Sequence, residues 1–314
     1  MTLYKYIIRR LLLMIPVILG VSFIIFTIMF FIPGNPASML LSSDATREDI
    51  DELNAKLGLN DPFFVRYFNY IKNAVQGDLG TSYQNRQPVG AEIAKKFPVS
   101  LKLAIGSILI SLLIGVPIGV LSAVKQYSLA DKIPTSIALF VAAMPAFIIG
   151  MILMLVFGLK LKWLPVSGTT QGLKSYVLPW ISLGLPYGAR QLRFTRSSML
   201  ETIRQDYVRT AKSKGATPKM VIWKHAMKNA LMPVITVAGT SFGGLLGGAV
   251  ATESLFGLPG LGAYISDGIK FKDVPAVMGG IICFAIMFSF VMLLVDISYA
   301  LVDPRIKAKY SGKR

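Results

Sequence analysis

Very few residues in this sequence are of a type and spacing that could do covalent chemistry. It holds one cysteine, Cys283, and one histidine, His225, so a disulfide framework or a Cys/His metal site is not expected. Cys283 lies in an apolar run and reads as a small packing residue. No G-x-S-x-G and no H-E-x-x-H occurs. The G-x-x-x-x-G-K-[ST] phosphate loop is also missing. The nearest glycine cluster, Phe256-Gly-Leu-Pro-Gly-Leu-Gly262, lacks the lysine and the helix start that phosphate binding needs. What remains are ionisable groups near membrane depth, which are functional candidates by default. Arg190, Arg193 and Arg196 recur every three residues, and Asp296 has Tyr299 close by, one turn on. For these a structural ion pair or an interfacial role ranks ahead of direct substrate contact. An ion-coupled carrier would place several acids mid-span, and this chain has almost none, so its energy source is expected elsewhere.

The most distinctive polar stretch is mechanical rather than chemical. Residues 206–233, DYVRTAKSKGATPKMVIWKHAMKNALMP, carry Arg209, Lys212, Lys214, Lys219, Lys224 and Lys228 against the single acid Asp206. A helical pattern of Tyr207, Val208, Ala211 and Lys214 runs into Gly215, which can take the left-handed conformation that ends a helix. Ala216 follows, and Thr217 offers an oxygen to cap the next helix, with Pro218 suited to its first turn. Met220, Val221 and Trp223 carry that helix on. Helix, sharp glycine turn, helix is the expected shape, a lever on which another protein could push. A solvated basic loop is the alternative. For His225 a structural hydrogen bond is preferred to proton transfer.

The elements that position this stretch are membrane spans. The chain has 314 residues, 54% hydrophobic and 16% charged, with mean hydropathy +0.59, too few charges for an ordinary soluble domain of this size. Leu11–Ile32 is an apolar run, and at about 1.5 Å per residue it crosses a hydrocarbon core of about 30 Å. A cleaved signal peptide competes with this reading, but Pro33-Gly34-Asn35-Pro36 follows in place of small residues, which favours an uncleaved span. Further runs at about 100–124, 135–159, 177–195, 231–252 and 276–301 bring the expected total to six. The fourth is interrupted by Pro179, Gly184, Pro186 and Gly188, which suits either a pathway-lining helix or irregular packing. Gly239, Gly243, Gly244, Gly247 and Gly248 on the fifth allow close helix approach. Between the first two spans, Thr46-Arg-Glu-Asp49 looks like a capping box, with Ile50, Leu53 and Leu57 on one face before Gly58. Asp61-Pro62 opens a second amphipathic helix through Phe64, Tyr67, Phe68 and Ile71, ended by Gly77-Asp-Leu-Gly80. These two helices could dock on the spans, lie at the lipid surface or receive a partner.

Charge fixes the expected orientation. With the N-terminus inside, segments 1–10, 125–134, 190–229 and 303–314 hold 20 of the 33 Lys+Arg residues and four of the 16 acids. Cytoplasmic loops favour such a surplus. It accounts for the net charge of +17, so nucleic acid is not needed to explain it.

These residues resemble the permease subunits of ABC importers, in particular the dipeptide/oligopeptide branch. The generic coupling motif of that family is E-A-A, three residues, Gly, and later I-x-L-P. Here Arg209-Thr210-Ala211 stands at the E-A-A position, Gly215 is in place and Leu231-Met232-Pro233 ends the stretch. The Glu and first Ala are absent and the spacing to Pro233 is longer. The peptide branch has its own form resembling Asp206-Tyr207-Val208-Arg209-Thr210-Ala211-x-x-Lys214-Gly215, and the likeness extends through Trp223, His225 and Asn229 to Pro233. It also covers Pro33–Pro36, Leu57-Gly58-Leu59, Gly77–Gly80, Glu253 through Gly262, and Asp303-Pro304-Arg305.

The resemblance implies an all-α polytopic protein with six transmembrane helices, the type I ABC importer permease fold. Residues 1–96 would hold the first helix and an extracytoplasmic helical insertion, 97–302 the type-1 transmembrane domain, and 303–314 a basic cytoplasmic tail. It further implies a second homologous permease subunit, two cytoplasmic ATPase subunits carrying ATP and Mg, and an extracytoplasmic substrate-binding protein. No cofactor or metal is expected on this chain, which would not itself be an enzyme. Tyr207, Val208, Arg209, Ala211, Lys214, Gly215, Ala216, Thr217 and His225 are the expected ATPase-coupling residues. Arg190, Arg193 and Asp296 are candidates for a pathway or structural role. Both termini would lie in the cytoplasm of a prokaryote, beneath its inner membrane. Di- or oligopeptides are the expected cargo, with nickel or glutathione as alternatives on the same machinery. A membrane receptor or scaffold and a secondary carrier are the competing classes.

Overall fold

The computed structural model describes residues 3–41 and 45–302. The tail at 303–314, with Asp303-Pro304-Arg305, and the side chain of Tyr299 lie outside the described residues. The elements are helical: α1 (Leu3–Phe31), α2 (Pro36–Leu40), α3 (Arg47–Lys56), α4 (Phe63–Val75), α5 (Val89–Val124), α6 (Leu129–Ala143), α7 (Ala146–Leu153), α8 (Lys174–Ile203), α9 (Asp206–Ser213), α10 (Pro218–Met220), α11 (Met227–Leu255), α12 (Leu261–Lys270) and α13 (Val274–Val302). Two π-helical stretches, Met154–Lys160 and Val221–Ala226, continue α7 and join α10 to α11. Extended pairing among the described residues is a single bridge between Thr81 and Pro88.

Four helical segments are long and apolar enough to cross a bilayer: Ile7–Phe31, Val89–Val124, Pro218–Leu255 and Val274–Ser298. A fifth crossing is available if Leu129–Ala143 and Ala146–Lys160, bent by 102°, act as one broken span. The bend has a local cause. Pro145 cannot donate a backbone bond and forces Met144 out of the helical region, to φ −85 and ψ 131. The fourth expected span, 177–195, falls within α8, a 30-residue helix that is less apolar and stays continuous through Pro179 and Pro186. Its glycines serve packing. A Cβ on Gly184 would come within 2.7 Å of the Ser107 carbonyl, and one on Gly119 of α5 within 2.7 Å of the Leu192 carbonyl. Close approach of α5 and α8 depends on both.

The chain divides into two compact units. One comprises Arg10–Ser100 with Pro259–Ser289, the other Leu101–Leu258 with the two ends of the chain. In the first, the capping box forms as read: Thr46 Oγ1 accepts from the Asp49 amide at 3.2 Å, and Asp49 accepts from the Thr46 amide at 2.9 Å and its hydroxyl at 2.7 Å. The α4 helix docks on α1, through a face that includes Phe63 and Tyr67. Phe63 meets Phe23, Phe26 and Phe30 edge-on, and the Tyr67 hydroxyl reaches Ser22 Oγ at 3.0 Å and donates to the Leu19 carbonyl at 3.2 Å. Phe64 and Phe68, expected on the buried face, are instead 61% and 65% exposed. The docked face runs Phe63, Tyr67, Tyr70, Ile71, so Tyr67 and Ile71 of the expected stripe lie on it, while Phe63 and Tyr70 take the places expected of Phe64 and Phe68. Asp273 at the start of α13 accepts from Ser82 Oγ and from the Gln84 amide at 3.2 Å, holding the segment after Gly80 in place.

The second unit is built on α8 and α11, flanked by α5, α6, α7 and the last turns of α13. Gly244 and Gly248 of α11 admit Tyr187 and Leu183 of α8, and Gly239 admits Val295 of α13. A lower cluster of Val120, Ala123, Met199, Ala226 and Ala230 fills the space between α5, α8 and the start of α11.

Candidate coupling site

The basic stretch folds into an elbow. The α9 helix ends as its sequence requires: Gly215 adopts φ 81, its amide donates to the Lys212 carbonyl at 3.0 Å, and the Ala216 amide donates to Ala211 at 3.1 Å. This paired closure is the Schellman arrangement, and it fixes the exit direction of the chain. Thr217 then caps the next helix, its hydroxyl accepting from the Met220 amide at 3.3 Å, with Pro218 in the first helical position.

From Pro218 the helix does not stop. It passes through the π-helical stretch Val221–Ala226 and continues to Leu255, 38 residues in all. The sequence suggested a short helix separated from the fifth span; the structure joins them into one rod. Proline in mid-helix removes a backbone bond at Pro233. Near it two side chains of α8 tie onto α11, Ser198 Oγ donating to the Ala230 carbonyl at 3.2 Å and Gln191 Nε2 to the Val234 carbonyl at 3.1 Å.

Burial divides the elbow into two faces. Val208, Ala211, Val221 and Ala226 are buried, anchoring it from within. Tyr207, Arg209, Lys214, Gly215, Thr217, Met220 and Trp223 are exposed, so aromatic, thioether and cationic groups all reach the outside of the elbow. Ala216 and His225 are half-buried. The hydrogen bond expected for the His225 ring is not formed among the described residues. Arg209 approaches Asp206 at 4.0 Å, a solvated pair of little energetic weight.

The arginines of α8 separate into two roles. Arg196 forms a bidentate pair with Asp131 of α6, at 2.6 and 2.8 Å, and Asp131 also accepts from the Tyr127 amide at 2.9 Å. The structural ion pair anticipated for this trio therefore belongs to Arg196, and its partner Asp131 was not identified from sequence. Arg190 and Arg193 are exposed on the same helix, and the Arg190 guanidinium lies 5.4 Å from the Tyr187 ring centroid. A cavity of about 480 Å³ is lined by Arg190, Arg193, Phe194, Arg196, Ser197 and Thr135. A second, of about 250 Å³, lies between α8 and α11 and includes Tyr187, Arg190, Gly244 and Gly248. Asp296 is buried on α13, apart from these cavities' linings.

Helices throughout the described residues, several long and apolar enough to cross a membrane, define the class as a multi-pass membrane protein. The chain belongs to the family of binding-protein-dependent transport system inner membrane components, whose profile matches residues 115–308; the companion N-terminal profile matches 3–104. It is a permease subunit of an ABC importer. It is 40% identical to the dipeptide transport system permease protein DppB of Alkalihalophilus pseudofirmus, over 96% of this chain and 99% of that one. It is 38% identical to the glutathione transport system permease protein GsiC of Escherichia coli O6:H1, over 97% and 99% respectively. Among solved structures, the inward-facing MetNI methionine ABC transporter matches with TM-score 0.56 at 17% identity, over 68% of this chain and 96% of that one. An amino acid ABC transporter matches with TM-score 0.52 at 14% identity, over 66% and 92%. Those two likenesses concern the fold.

Proposed function

We propose that this chain forms half of the path by which di- or oligopeptides are imported, and that it is driven through the elbow at Gly215 by ATPase subunits. The observation that carries the reading is the elbow itself. A short helix with an exposed aromatic and basic surface is locked by a Schellman turn onto one end of a 38-residue membrane helix. A force applied at Tyr207, Arg209, Lys214 or Trp223 is thereby delivered to a rod that lies against α8. Val208, Ala211, Ala216 and Thr217 hold the shape of the joint, and His225 lies on the rod side of it.

On this reading both termini and the elbow are cytoplasmic, as the distribution of lysine and arginine favours. Two ATPase subunits bind and hydrolyse ATP with Mg, this chain holding no nucleotide. A second, homologous permease subunit completes the path, and an external binding protein delivers the cargo. Arg190 and Arg193, exposed beside α8's cavities, offer charge-assisted bonds to a peptide carboxylate during passage. The GsiC relatives favour glutathione, itself a peptide-like tripeptide carrying carboxylates, as the second cargo reading.

The test is uptake of labelled dipeptide into proteoliposomes holding the complete complex. ATP-dependent uptake, absent when the ATPases are omitted, is expected. Uptake driven by an ion gradient without ATPases would assign a secondary carrier instead, and no uptake under any condition would favour a scaffold. Competition by unlabelled glutathione separates the two cargoes.

A further inference from the structure

A cavity of about 320 Å³ lies wholly within the unit made by Arg10–Ser100 and Pro259–Ser289, at the end of α1 remote from its N-terminus. Two cations line it, Lys272 and Arg66, together with Asn35, Asn54 and Asn60, and no carboxylate does. Lys272 is only 4% exposed. Its ammonium donates to the carbonyls of Ile32 and Gly34, which leaves the charge itself uncompensated. Among the described residues neither Lys272 nor Arg66 makes an ion pair. Arg66 instead donates to the Leu59 carbonyl at 3.4 Å and lies 5.6 Å from the Phe30 ring centroid.

A buried ammonium without a counter-charge is costly to keep, and burial pushes the Lys272 pKa down as that cost requires. The backbone adds to the cost. Lys272 sits at φ 53, a left-handed conformation that residues with a Cβ avoid, and such strain persists where the surroundings demand it. Asn54 is nine-tenths buried, lines the same cavity, and its Oδ1 accepts no hydrogen bond among the described residues. An amide with an idle oxygen, lining the same cavity as two cations without a counter-charge, fits an occupant that carries an N–H donor next to an anionic group.

We infer that this cavity is a binding site for a small zwitterion, its carboxylate or phosphate held by Lys272 and Arg66 and its N–H donor by Asn54. Both the terminal groups of a short soluble peptide and the phosphoethanolamine of a lipid headgroup have this chemistry. The site shares no lining residue with the elbow or with the cavities beside α8, and it requires no particular cargo for the transport path.

The test is equilibrium binding to the full chain in a maltoside detergent free of phospholipid, without ATP, ATPases or binding protein, so that transport plays no part in the result. Dialanine and O-phosphoethanolamine are titrated separately. Saturable binding of at least one is expected, and the tighter of the two identifies the soluble or the lipid source. Arg66→Gln should weaken it by roughly tenfold or more, the loss of a charge-assisted bond. That variant keeps the ties from Lys272 to Ile32 and Gly34, so it tests the site even if Lys272→Met fails to fold. Absence of saturable binding by both probes, or binding unchanged in Arg66→Gln, would overturn the inference.

Discussion

Single side chains decide two features that ordinary measurements can reach. The Asp131–Arg196 pair is bidentate, with Asp131 at 4% and Arg196 at 25% side-chain exposure. Removing one partner strands the other, at about 3–5 kcal/mol for a buried pair. Arg196→Met should therefore lower the thermal midpoint in detergent markedly, and Asp131→Asn in the same background should recover part of the loss. A purely additive pair of losses would contradict it. At Asp49, the hydrogen bonds from the Thr46 hydroxyl and then its amide hold the carboxyl below the usual aspartate range. A depressed folded pKa contributes stability that is complete above the unfolded value of about 3.9 and is lost as pH falls through the lower one. Hydrogen exchange at the first amides of α3 should stay slow at neutral pH and accelerate, relative to the intrinsic rate, only in that acid window. The capping box was legible in the sequence because it spans three residues. The Asp131–Arg196 pair was not, because 65 residues separate its members and several basic residues compete for one acid.

Helices and their joints carry the next set of consequences. At Gly215 a Cβ would meet nothing within 4 Å, so only the positive φ restricts the position. Asn, which tolerates that conformation, should preserve coupling, whereas a β-branched residue should not; the left-handed penalty for ordinary residues is about 1–2 kcal/mol. Glycines at helix contacts obey a different rule. Gly119→Ala would press on the Leu192 backbone and Thr195, overpacking worth about 1–3 kcal/mol, while Gly247→Ala meets nothing and should stabilise α11 by up to about 1 kcal/mol. Unfolding midpoints of the two variants should move in opposite directions. Glycine turns and caps were readable one by one, since each depends on a few adjacent residues. The continuity from Pro218 to Leu255 was not, because a π-helical stretch has no periodicity of its own and the polar run Trp223–Asn229 imitates a loop. The α4 face was misread at Phe64 and Phe68 for a related reason: with five aromatic residues in 13, nearly every stripe looks apolar.

For the whole molecule, hydropathy located four of the expected spans and the bent pair, and the weak point was α8, whose residues 177–195 lie in a helix less apolar than those. The division into compact units was not readable, since α5 and α13 each contribute to both. On the proposed reading, work done on nucleotide elsewhere enters this chain at the elbow and leaves it as motion of the Pro218–Leu255 rod. The most direct test of that reading measures ATP hydrolysis and peptide uptake together, in proteoliposomes holding the complete complex, for the parent chain and for Gly215→Val. Complexes that assemble and still hydrolyse ATP but take up little peptide are the predicted result. Undiminished uptake per ATP hydrolysed in Gly215→Val would contradict it.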